Sequence, residues 1–170
     1  MQLLSLLFAL FFSFNSANAN EQDHEALRNL KNLAINKINS QKFEALVDIV
    51  SPKIVLTAEN NTVVRGIEAL KGFYREVLMT AGSPLKEFKI LKIEVDDLSI
   101  LYGTDTAVAF GDADLFYKLS NGSENNFQTR WTATLVKESD KWMIAAFHNS
   151  VDFTNNPILN LYSKWSIIGV

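Results

Sequence analysis

The chain contains no cysteine among its 170 residues. This excludes disulfide staples, thiolate metal sites, cysteine nucleophiles and a lipidated amino-terminal cysteine. Imidazoles are scarce as well: His24 and His148 are the only two, and no set of carboxylates is spaced to complete a metal site around either. No metal and no cofactor is therefore expected. Basic residues do not dominate, with 16 Lys and Arg against 19 Asp and Glu and a net charge of −3. That balance gives no electrostatic footprint for nucleic acid and no polybasic stretch for an anionic membrane. No apolar run reaches the ~20 residues that a membrane-spanning helix needs.

What is present suits one globular domain. A hydrophobic fraction of 48% with 11% aromatics supplies a core, and 21% charged residues is too few for a charged, disordered chain. Residues 1–19 read as a targeting segment outside the fold. Residues 3–14 are apolar apart from Ser5 and Ser13, and Ala17-Asn18-Ala19 forms a small-x-small cleavage site before Asn20. A cleaved signal peptide and an exported product, periplasmic or secreted, are expected; an uncleaved anchor is the alternative, since no Lys or Arg precedes the run. Residues 20–153 form the domain. Residues 154–170 form an apolar tail after Asn155-Asn156-Pro157, expected to pack on the domain, with a dimer contact or a membrane interface as alternatives.

Helices come first. Asp23 reads as an N-cap ahead of Leu27, Leu30, Ala34 and Ile38 at helical spacing, and Phe43, Leu46, Val47 and Val50 make a shorter apolar face that ends at Ser51-Pro52. Residues 53–58 and 62–65 read as a small hairpin about Glu59-Asn60-Asn61. After Gly66, the positions Ile67, Leu70, Phe73, Tyr74, Val77 and Leu78 form a wide helical stripe ending near Gly82. Four long β-type segments follow at 86–102, 106–119, 124–136 and 141–151, with Asn121-Gly122 the strongest hairpin signal between them. Helices followed by a meander predict an α+β fold, the helices lying on one face of an antiparallel sheet.

Three stretches carry a family resemblance. Val64-Arg65-Gly66-Ile67-Glu68-Ala69-Leu70-Lys71-Gly72-Phe73-Tyr74 resembles a strand–glycine–helix passage, Asp140-Lys141-Trp142-Met143-Ile144 the opening of a last strand, and His148-Asn149-Ser150 its close. In this order they resemble the nuclear-transport-factor-2-like (NTF2-like) superfamily, in its SnoaL-like, DUF4440-like and ketosteroid-isomerase-like branches, over about residues 22–153. The resemblance implies a cone-shaped sheet around about three amino-terminal helices, commonly a homodimer, often with an apolar pocket. It implies no single activity, because binding modules and enzymes share the fold.

Strand register then suggests which side chains look inward. If Asn121-Gly122 and Ser139-Asp140 are both two-residue turns, paired residue numbers sum to 243 and 279. One face would carry Phe110–Ala133–Ala146, Asp112–Trp131–His148 and Asp114–Thr129–Ser150. The other would carry Ala107, Ala109, Gly111 and Ala113 with Arg130, Thr132 and Thr134, small residues suited to a sheet-to-sheet homodimer. The first face is assigned to the pocket, conditional on there being no β-bulge.

On that assignment Asp112 and His148 are the candidate catalytic pair, about 10 Å apart across Trp131. Trp131, Asp114, Thr129, Phe110, Ser150, Tyr74 and Tyr102 are the candidate ligand contacts. The same residues fit blander roles: solvated carboxylates, a structural histidine, core aromatics. The leading expectation is an exported module that binds a small hydrophobic or amphipathic ligand. The alternatives are a cofactor-independent isomerase, cyclase or dehydratase using Asp112 and His148, and a dimeric assembly domain.

Overall fold

A computed structural model describes residues 2–59 and 61–151, with side chains from Asn20 onward. Helix α1 (Gln2–Asn39) leads through a 3-10 turn (Phe43–Asp48) into strand β1 (Val50–Thr57) and the short β2 (Val63–Arg65). Helix α2 (Ile67–Tyr74) follows and runs on as a π-helical turn (Arg75–Met79). Strands β3 (Leu85–Ile93), β4 (Ile100–Tyr102), β5 (Thr106–Leu119), β6 (Glu124–Glu138) and β7 (Lys141–Val151) complete the fold. The sheet runs β2-β1-β7-β6-β5-β3, with β4 also pairing β5. It is a curved, unclosed α+β cone in which β1 lies parallel to β7 and the other pairs are antiparallel. The expected tail, residues 154–170, lies outside the described residues.

Local chemistry explains the elements. Gly66 holds φ at +81°, which L side chains rarely adopt, and so ends β2 and opens α2. The apolar stripe of α1 buries Leu27 and Leu30 against the sheet, and α2 buries Leu70. Two expectations about the amino-terminal half need correction. Asp23 is not an N-cap: α1 is continuous through it. Its carboxylate instead accepts from Lys137 Nζ at 2.6 Å and Trp142 Nε1 at 2.9 Å, tying the helix to β6 and β7. Pro52 does not stop a helix either; it lies inside β1.

The sheet register differs from the expected one at two places. Between β5 and β6 the loop has three residues, 120–122, because Leu119 N–H donates to Ser123 at 2.8 Å and Gly122 alone is left-handed at φ +89°. Pairs therefore sum to 242, as in Asp112↔Arg130. The Ser139-Asp140 turn is the expected two-residue kind, with φ +49° and +61°, and Glu138 pairs with Lys141. A bulge then intervenes between Leu135↔Ile144 and Thr134↔Ala146, moving the sum from 279 to 280. One slip in each hairpin reassigns the faces.

Candidate functional site

The inner face of the sheet carries Ala107, Ala109, Gly111, Ala113 and Leu115 on β5, all buried. Beside them lie Thr129, Trp131, Ala133 and Leu135 on β6, and Asn149 on β7, buried as well. The four small β5 residues expected on an outer dimer face thus point into the cone. Ala109 and Ala113 leave room there, since an alanine fills little of the space that a larger core residue would. With α1, α2 and β3 the inner face encloses a cavity of about 800 Å³, within the ~300–1,000 Å³ typical of small-molecule sites. Its wall is mainly apolar, with Leu30, Ile54, Phe73, Phe88 and Phe147 among the lining residues.

Of the sequence-predicted site residues, Trp131, Thr129 and Tyr74 are on the inside. Trp131 is 5% exposed and stacks on Phe147, ring centroids 6.2 Å apart and 10° from parallel. Its indole N–H donates to the Asp112 carbonyl at 3.1 Å. Tyr74 lines the cavity and stacks on Phe43 at 5.4 Å. Burial, then the nearby Glu59 carboxylate, pushes the Tyr74 phenol above its ordinary range, so it remains a protonated donor.

The rest face outward. Asp112, His148, Ser150 and Tyr102 are exposed, and Phe110 and Asp114 are half-buried on the same outer rungs. The expected row Asp112–Trp131–His148 is replaced by Asp112–Arg130–Ser150, Gly111–Trp131–Asn149 and Phe110–Thr132–His148. Asp112 borders the cavity, but its carboxylate accepts from Arg130 Nη1 at 3.1 Å. Asp114 accepts from Gln128 Nε2 at 3.0 Å. Arg130 and Thr132 are exposed and Thr134 half-buried on that outer face, where the sequence placed them.

Two polar residues of the interior were not among the expected ones. Glu59, just past β1, and Asn149, on β7, both line the cavity and are joined by a hydrogen bond from Asn149 Nδ2 to Glu59 Oε1. Asn149 Oδ1 and, one rung along, Thr129 Oγ1 are buried without a partner. Glu59 also raises the Tyr117 phenol, after burial, so its charge is felt by two rings. In the sequence Glu59 looked like a turn residue, and only the β1–β7 pairing, which is non-local, brings it to Asn149. Among the described residues no group of His, Asp and Glu could hold a metal ion.

Comparison with known proteins places this architecture. A family profile described as a SnoaL-like domain matches residues 27–154. No curated protein matches the chain. Hexachlorocyclohexane dehydrochlorinase from Novosphingobium barchaimii superposes with a TM-score of 0.66 at 12% identity, over 79% of this chain and 89% of that one. An NTF2-like superfamily protein from Salmonella enterica gives 0.59 at 18% identity, over 80% and 92%. A protein with a cystatin-like fold from Caulobacter vibrioides gives 0.57 at 17% identity, over 80% and 96%. At these identities the likeness is one of fold.

Proposed function

Because the chain belongs to the SnoaL-like domain family, we propose that its cone takes up a small hydrophobic or amphipathic ligand and that the protein acts as a binding module. The observation that carries this reading is the composition of the cavity: about 800 Å³ of mainly apolar wall, with Glu59 and Asn149 hydrogen-bonded to each other in it. A few polar groups in an apolar concavity can orient a ligand whose affinity comes from buried area. Native mass spectrometry of the purified protein, with displacement of an apolar fluorophore, tests it. Retained ligand or saturable displacement is expected. A cavity that takes up nothing sinks the reading.

An acid–base reading has a different basis from the one the sequence suggested, since Asp112 and His148 carry exposed side chains. What supports it is Glu59 near Tyr74, a carboxylate base beside a phenol that stays protonated and can donate a hydrogen bond to an enolate oxygen. Turnover of any enolisable ketone, abolished in Glu59→Gln, would favour catalysis over binding alone.

Two further parts of the proposal concern setting. The pattern of residues 1–19 supports export, which amino-terminal sequencing of the protein recovered outside the cytoplasm would test. The outer rungs bearing Arg130, Thr132 and Thr134 support a homodimer through that face. Sedimentation of Thr132→Glu against the native chain tests it.

A further inference from the structure

Five carboxylates border the cavity: Glu59, Glu94, Asp96, Asp97 and Asp112. Four of them are exposed; Glu59 alone is half-buried. Glu94 is paired with Lys92 at 2.7 Å, and Asp96 and Asp112 are both paired with Arg130. Among the described residues no Lys or Arg pairs with Glu59. Its polar neighbour is Asn149, 8% exposed, which spends its amide N–H on Glu59 and leaves its own Oδ1 without a partner. The arrangement places a carboxylate in an apolar cavity wall with no Lys or Arg paired to it among the described residues.

A half-buried carboxylate with no cation beside it gains most from a partner that brings the opposite charge and hydrogen-bond donors together. A neutral hydroxyl satisfies one acceptor and leaves the charge; an anionic head meets repulsion. Resting on the pocket reading above, we infer that the ligand is an amphipathic amine: an apolar body in the cone and a protonated amino group at the Glu59 carboxylate. An ammonium has three donors and no acceptor, and carries the charge opposite to that of the Glu59 carboxylate. The Tyr74 ring, on the same cavity wall, is an apolar surface that tolerates a cation. The Lys and Arg residues that border the cavity, Arg28 and Lys31, both lie on α1, and Arg28 is already paired with Glu21 at 2.9 Å. An anionic ligand would have to be held from that helix, which makes it the competing outcome.

The test compares n-octylamine, octan-1-ol and octanoate, which share one apolar body, by isothermal titration on the full chain at pH 7. The amine is expected to bind roughly ten-fold or more tightly than the alcohol, with octanoate weakest, in keeping with the greater strength of charge-assisted hydrogen bonds. Glu59→Gln keeps the volume and an oxygen for Asn149, and should remove the preference for amine over alcohol when both are measured on the same variant. Equal binding of amine and alcohol by the native chain overturns the inference and leaves the pocket reading standing, as does tightest binding of octanoate. An amine preference that survives in Glu59→Gln overturns it too. Failure of all three to bind overturns the pocket reading itself. The ranking by the native chain needs no variant, so an unfolded Glu59→Gln would not rescue a failed ranking.

Discussion

The indole N–H of Trp131 donates to the backbone carbonyl of Asp112 at 3.1 Å, although the two side chains leave the sheet on opposite sides. The same carbonyl accepts the Glu94 amide at 2.8 Å. One oxygen of β5 thus ties an inner wall of the cavity to the start of the segment 94–99, several of whose residues border it.

Removing the indole donor while keeping a ring separates these roles. Trp131→Phe should cost about 1 kcal/mol, the worth of one hydrogen bond, since the carbonyl keeps its Glu94 partner. Trp131→Ala should cost about 3–5 kcal/mol, because the stack on Phe147 is lost and a cavity opens. Urea denaturation of the two variants measures the difference; equal losses would mean that the hydrogen bond, and not the packing, dominates.

Gly111 has no room for a methyl group. A Cβ there would stand 2.0 Å from the Glu94 carbonyl oxygen and 2.9 Å from Val95 Cα, both main chain and unable to swing aside. Gly111→Ala should destabilise by about 3 kcal/mol or more and displace segment 94–99. Gly72, in α2, has nothing within 4 Å of such a Cβ, so Gly72→Ala should stabilise by about 0.5–1 kcal/mol. Thermal melts of the pair give opposite signs if the close approach at Gly111 is real.

These contrasts show which parts of the structure could be read from the chain. Element identity could, because it is local: alternation along residues 106–119 and 124–138, Asn61 between β1 and β2, and Gly66, the last two with positive φ, each act within a few residues. Register could not. A loop of two residues or of three is compatible with Ser120-Asn121-Gly122-Ser123, and the choice is settled by Gly122 alone taking positive φ. The bulge near Ala145 leaves no mark in composition, yet with the loop it turns Asp112 and His148 outward and leaves Trp131 inside. Glu59 and Asn149 were hidden for a related reason. Their meeting depends on β1 lying parallel to β7, 90 residues apart in sequence, which no periodicity reports.

The Asp23 carboxylate gives stability a pH dependence of known sign. Burial works to raise its pKa, but the hydrogen bonds from Lys137 and Trp142, with the charges of Lys137 and His24, outweigh it and hold the group below its ordinary value. A group with a lowered folded pKa contributes stability that is fully present above its unfolded pKa, near 3.9, and is lost as pH falls through the folded value. Asp23→Asn cannot titrate. The native chain should therefore exceed the variant in melting temperature at pH 7 and converge toward it below about pH 3.9. A gap that is constant from pH 7 to pH 2 would show that the carboxylate charge is irrelevant to the tie between α1 and β7.

Arg130 joins two carboxylates from different segments: Asp112 on β5 at 3.1 Å and Asp96, beyond β3, through both guanidinium nitrogens. Asp96 belongs to the stretch that borders the cavity, so this exposed ion pair joins the outer sheet face to the cavity's border. Exposed pairs add little to global stability and are screened by salt, but a planar fork gripping one carboxylate through two nitrogens restricts where that segment can sit. Arg130→Met should leave the melting temperature nearly unchanged. Amide exchange at residues 96–99 should nevertheless quicken several-fold, and association and dissociation of an apolar probe should quicken together with little change in affinity. High salt should move the native chain partway toward the variant and leave the variant itself unaffected. Unchanged exchange at 96–99 would detach Arg130 from the cavity's border and leave it a surface residue of the outer face.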